Sequence, residues 1–233
     1  VGAWWATRAR IRVHEEENEM SARTSAAAIA LAASSGLVLA SGAHAAVIGT
    51  TGQVVAIAPP ANTTLDAFES NTEARVWTER ANVTLANALD VDITTPGLYD
   101  AAGDLTPGVI PAGTVVTSHY LRTDPIGESV RVYEGTATFS DTIIGIIVGR
   151  TRLNATDLLL GAPGTIYANN SARGLELSAN ADRVLLTLTQ NEVRIRWTTS
   201  GATDDIRVIT VPTPASAGIA ACMGLAAVRR RRR

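Results

Sequence analysis

Residues 182–199 read DRVLLTLTQNEVRIRWTT. Val184, Leu186 and Leu188 alternate with Arg183, Leu185 and Thr187, and beyond Gln190-Asn191 the residues Val193, Ile195 and Trp197 alternate with Arg194, Arg196 and Thr198. In a strand successive side chains point to opposite faces, so each run has one apolar face. Two such runs around a short turn make an antiparallel hairpin. A two-residue turn at Gln190-Asn191 would set Leu188 opposite Val193, Leu186 opposite Ile195 and Val184 opposite Trp197. The hairpin is half-buried, with Trp197 facing inward and the arginines facing out.

Working outward, similar period-two or β-branched runs occur at 53–57, 75–85, 89–93, 114–121, 130–139, 143–148 and 206–211. Turn-forming clusters separate them, among them Pro59-Pro60, Pro96-Gly97, Pro107-Gly108, Asp124-Pro125 and Pro163-Gly164. Many short strands with turn signals at this spacing predict an all-β fold, an antiparallel β-sandwich of jelly-roll-like kind. Residues 154–160 are the exception. Asn154 or Thr156 is positioned to cap a single helical turn that carries Leu158, Leu159 and Leu160 into the core. Gly135 and Gly145 interrupt apolar runs, which predicts close packing or a bulge.

The two ends differ from this middle. Residues 1–19 join a tryptophan- and arginine-bearing stretch to the acidic run Glu15, Glu16, Glu17 and Glu19. They read as a gene-model extension ahead of a true start at Met20, or as a disordered leader. Residues 20–45 then have the form of a signal peptide, with Arg23, an apolar stretch at 26–40, and the small-residue site Ala43-His44-Ala45 before Ala46. That form predicts export through the Sec machinery and cleavage between Ala45 and Ala46. The exported domain is then 46–210.

At the other end the motif 211–215 contains Val211, Pro212, Thr213 and Pro214. A small apolar run at 216–228 follows, then Arg229, Arg230, Arg231, Arg232 and Arg233. The prolines delete two backbone donors and favour an extended segment that another protein can read. As a helix, the apolar run would rise only ~20 Å, short of the about 30 Å that a spanning helix must cross. The five arginines would stop it on the cytoplasmic side. Motif, short apolar helix and arginine block, in that order, resemble the PEP-CTERM sorting signal, with Thr213 where the family usually has Glu. The resemblance implies an exosortase-like membrane protease as partner, a transient transmembrane anchor, and delivery to the cell surface or extracellular matrix, in association with exopolysaccharide. The segment 141–210, including LNATDLLLGAPGTIY at 153–167, also resembles uncharacterised exported proteins that carry this tail.

Composition narrows the chemistry. The chain has no lysine. Within 46–210 there are eleven arginines and eighteen carboxylates, a net charge of −7 against −2 for the whole chain. Such an acidic surface argues against a nucleic-acid partner. The sole cysteine, Cys222, lies in the tail, so no disulfide staples the domain. The one histidine after processing is His119, which reads as an edge or partly buried strand residue and not as a catalytic base. A hydrolase needs a base beside its nucleophile, and zinc needs several His or Cys ligands. No catalytic residue, cofactor or metal ligand is therefore assigned, and a non-enzymatic protein is expected. Asp90 with Asp92, Asp100 with Asp104, and Asp204 with Asp205 are the acidic pairs that calcium would favour, but acidic turn residues usually cap and solvate. The alternative function is a lectin-like carbohydrate-binding sandwich. Tyr99 and Tyr120 together on an exposed face would favour sugar binding; buried or dispersed aromatics would favour a structural role.

Overall fold

The computed structural model describes residues 46–171, 173–178 and 182–211. The fourteen strands among them are β1 (Val47–Gly52), β2 (Val54–Ala56), β3 (Asn62–Thr63), β4 (Ala74–Thr84), β5 (Leu89–Val91), β6 (Gly97–Tyr99), β7 (Gly108–Ile110), β8 (Val115–Thr123), β9 (Arg131–Phe139), β10 (Thr142–Ile147), β11 (Ile166–Tyr167), β12 (Arg183–Leu186), β13 (Glu192–Thr199) and β14 (Asp204–Val211). One α-helix, α1 (Arg150–Leu160), lies between β10 and β11. Sheet A has the order β1-β9-β13-β12-β6 and sheet B the order β10-β14-β8-β4-β2. All neighbours in the two sheets are antiparallel except β2 and β4. Two small ladders, β11-β3 and β5-β7, complete the set. The expected all-β sandwich is the fold.

Alternation explains how the sheets meet. From sheet A, Val184, Leu186, Val193, Ile195 and Trp197 enter one apolar cluster with Val76, Leu121, Ile206 and Val208 of sheet B. Removing each large side chain from water contributes about 1.5–3 kcal/mol. Sheet B is covered on its second face too, where Trp77, Tyr120 and Ile209 pack with Leu153 and Leu160 of α1. Burial on both faces explains why β8 is buried from Val116 onward and β14 from Asp204 to Thr210.

The hairpin has the expected faces but not the expected register. Val184 pairs with Ile195 and Leu186 with Val193, two residues from the tighter pairing. A two-residue loop of the favoured kind needs positive φ at central positions. Here only Gln190 takes it, at φ 52°, after a turn closed by Gln190 N–H to the Thr187 carbonyl. Leu188 is drawn into that turn and is 91% exposed. The two-residue slip keeps Val184, Leu186, Val193, Ile195 and Trp197 on their predicted face, while Leu188 leaves it.

Both flagged glycines sit at close approaches. A Cβ on Gly135 would stand 2.4 Å from the Thr51 carbonyl oxygen, where β1 crosses β9. One on Gly145 would stand 2.8 Å from a Val91 methyl, beside a register irregularity in β10.

Candidate functional site

The helix that covers sheet B is longer than the sequence suggests and is capped differently. It starts after Gly149, which is extended and offers no side chain. Asp92 supplies the acceptor, its Oδ2 receiving the N–H groups of Val148 and Gly149 at 2.8 and 2.9 Å. Arg152 pairs with the other oxygen. A carboxylate at a helix N-terminus satisfies orphan donors and the helix dipole together. Asn154 and Thr156 are therefore interior residues and not caps, and Thr156 Oγ1 donates back to the Arg152 carbonyl at 2.8 Å. Of the three leucines expected inside, Leu160 is buried while Leu158 is 94% exposed.

Beneath α1 lies a neutral cluster of two arginines and two carboxylates. Arg207 of β14 grips Glu79 of β4 with Nε and Nη2 at 2.6 and 2.7 Å. It also donates to Asp157 Oδ1 at 3.0 Å, the Thr156 hydroxyl at 2.5 Å and the Leu153 carbonyl at 3.2 Å. All five of its N–H donors are used. Arg173 holds Asp157 with two nitrogens at 2.6 and 2.7 Å and gives Nε–H to the Tyr120 hydroxyl at 2.9 Å. Both guanidinium groups lie 5.2–5.6 Å from the ring centroids of Tyr120 and Tyr167, within cation–π range. Tyr167 donates its hydroxyl proton to Glu79 Oε1 at 2.5 Å. Burial first, and then Glu79, hold the Tyr167 phenol well above its ordinary pKa. Burial does the same for Tyr120.

Above this cluster opens a cleft of about 390 Å³ lined by Arg80, Asn154, Asp157, Leu158, Pro163, Tyr167 and Asn169, among others. Arg80 Nε donates to the Gly161 carbonyl at 2.7 Å, and Asn154 Nδ2 donates to Asn169 Oδ1 at 2.6 Å. The carboxylates below are tied to guanidinium groups and the phenols hold their protons. The rim instead offers planar amide and guanidinium groups beside one aromatic ring, which suits hydrogen bonding to hydroxyl-bearing ligands.

The residues singled out in sequence are scattered. His119 lies in a central strand and not at an edge, fully buried, with Nδ1 3.0 Å from the Thr78 hydroxyl and Nε2 3.2 Å from that of Thr210. Its ring packs on Phe139 at 4.6 Å, and burial lowers its pKa to about 3. Asp90 is exposed on β5, whereas Asp92 lies just beyond the strand and is buried, its carboxylate turned to the start of α1. Asp100 pairs with Arg183 at 3.6 Å, and Asp104 accepts the Ala101 N–H at 3.0 Å. Asp204 and Asp205 open a strand, not a turn, and both are fully buried. Asp205 receives Arg122 Nη1 at 3.1 Å. Tyr99 and Tyr120 are buried. Val211 ends β14, paired with Thr142. Ala43, Ala45, Pro212, Thr213, Pro214, Cys222 and Arg229–Arg233 lie outside the described residues. So does the apolar run 216–228; among the described residues no helix is long and apolar enough to cross a membrane.

No protein family, characterised protein or solved structure matches this chain.

Proposed function

We propose that the chain is a non-enzymatic exported protein of the cell surface or extracellular matrix. It passes through the Sec machinery, is anchored briefly by its C-terminal segment, and is processed by an exosortase-like membrane protease. Outside, the sandwich associates with exopolysaccharide. The observation that carries this reading is where the expected cuts fall relative to the strands. Cleavage after Ala45 leaves β1 whole from Val47, and a cut within 212–215 leaves β14 whole to Val211. Ala46 is tied to Ser140, its N–H donating to Oγ and its carbonyl accepting the Ser140 N–H, both at 3.0 Å. Processing at those two places would spare every strand among the described residues. The test is the intact mass of the protein isolated from its native envelope and medium. A species beginning at Ala46 and ending between Pro212 and Ala215 is expected; one that keeps Arg233 overturns the sorting step.

A carbohydrate-binding module is the second reading, and the cleft beside α1 favours it. The buried Tyr99 and Tyr120 weigh toward the scaffold reading instead. Retention on native exopolysaccharide that falls in both Arg80→Ala and Asn169→Ala would place sugar binding in the cleft. Unchanged retention would remove the cleft from the account.

A further inference from the structure

Glu176, Asp182 and Asp204 form the one group of carboxylates, among the described residues, whose oxygens converge tightly enough to share an ion. One oxygen from each lies within 4.8 Å of the others. Asp182 immediately precedes β12 of sheet A, Asp204 opens β14 of sheet B, and Glu176 lies on the segment 173–178. That segment is fastened to the sheet B side, Asp205 N–H donating to the Gly174 carbonyl at 3.3 Å and Leu175 N–H to the Val148 carbonyl at 3.1 Å.

The side chains are held in place. Asp182 accepts the Glu176 N–H on Oδ2 and the Thr198 N–H on Oδ1, each at 3.0 Å. Asp204 Oδ2 receives only a long 3.4 Å contact from the Thr123 hydroxyl, and its Oδ1 is buried with no hydrogen-bond partner. Asp182 and Asp204 are both 0% exposed, whereas Glu176 is open to solvent. No arginine pairs with any of the three among the described residues, although the adjacent Asp205 has Arg122. A buried carboxylate without a partner is costly when ionised, and a cation from solution would offset that cost where the described residues supply no positive charge.

We propose that Glu176, Asp182 and Asp204 bind a calcium ion that joins the two sheets at this end of the sandwich. Oxygens arranged around calcium at about 2.4 Å are at most about 4.8 Å apart, and the three oxygens here fall within that bound. Magnesium demands a near-ideal octahedral shell and gives up its water reluctantly, so carboxylates fixed by the fold suit it less. The donors are hard oxygens with no nitrogen or sulfur, which disfavours zinc. Water enters beside Glu176 to complete the shell. Two positive charges then meet three negative ones where the described residues supply none. This site is independent of the export reading.

The test uses the full purified chain, stripped with a chelator, at neutral pH. Calorimetric titration with calcium should show one site, and calcium at about tenfold over its Kd should raise Tm by about 3–6 °C, with a smaller rise for magnesium. Asp204→Asn should abolish the calcium response. Should that variant not fold, Glu176→Gln alters only the exposed ligand, and should weaken calcium binding about tenfold or more while leaving the metal-free Tm unchanged. Absence of calcium binding by the wild-type chain overturns the proposal. A calcium response that persists undiminished in Glu176→Gln or Asp204→Asn also overturns it, by placing the ion elsewhere.

Discussion

The outer faces of the two sheets carry the same kinds of residue and put them to different physical use. On sheet A, Arg194 meets Glu192 at 2.7 Å and Arg196 meets Glu134 at 2.8 Å, with the arginine side chains 59% and 39% exposed. On sheet B, Arg207 meets Glu79 at 2.6 Å with both side chains at 0%. The distances hardly differ; the surroundings do. An exposed pair exchanges water for a contact of similar worth and stabilises by ~0–1 kcal/mol. Under α1 each charge has already lost its water, so each depends on its partner. Arg122 repeats the pattern on β8, bonded to Asp124 at 2.9 Å and Asp205 at 3.1 Å in a fully buried position. The contact distance alone therefore says little about what an ion pair is worth, and its cover decides.

The sharpest way to break this contrast is to remove one partner under the helix. Arg207→Ala should lower the free energy of unfolding by about 3–5 kcal/mol, because Glu79 is left buried and unpaired. Urea denaturation measures it, and a loss below about 1 kcal/mol would mean that the cluster behaves like a surface pair.

A second, pH-dependent effect comes from His119 on the core face of sheet B, where burial favours the neutral imidazole. His119 titrates at about 3 in the fold against 6.5 when unperturbed. Between those values the unfolded chain binds a proton that the fold refuses. Stability should therefore decline as pH falls from about 6.5 to about 3, by up to ~1.4 kcal/mol per pH unit from this residue. The difference between wild type and His119→Gln, followed over that range, isolates the contribution; a pH-independent difference would show that His119 does not supply it.

The smallest effect is expected on sheet A. Arg196→Ala should change stability by no more than about 1 kcal/mol, and less still in high salt. A loss comparable to that of Arg207→Ala would erase the distinction between the faces.

Much of the sandwich was legible because alternation is local. Val184, Leu186, Val193, Ile195 and Trp197 face inward as their spacing predicts. The hairpin register was not, since it turned on the backbone conformation of Gln190. The helix was seen as one turn because its cap, Asp92, stands 57 residues from Gly149, beyond any reading of neighbours. The cleft cluster was missed altogether. Its available signal was Arg207 within the β-branched run Ile206–Ile209, a charge where a strand buried on both faces should have none.

The sequence by itself determined that the longer runs become strands (though not β1, β3, β6, β7 or β11), that Val184, Leu186, Val193, Ile195 and Trp197 face inward, and that 46–210 carries net negative charge. Only the tertiary structure decided which polar face is covered. The residue pattern on β13 and β14 is set by neighbours two positions apart, whereas cover comes from α1 and from 173–178. Those segments are distant in the chain, and they turn the charges of β14 into a buried network while those of β13 remain in water.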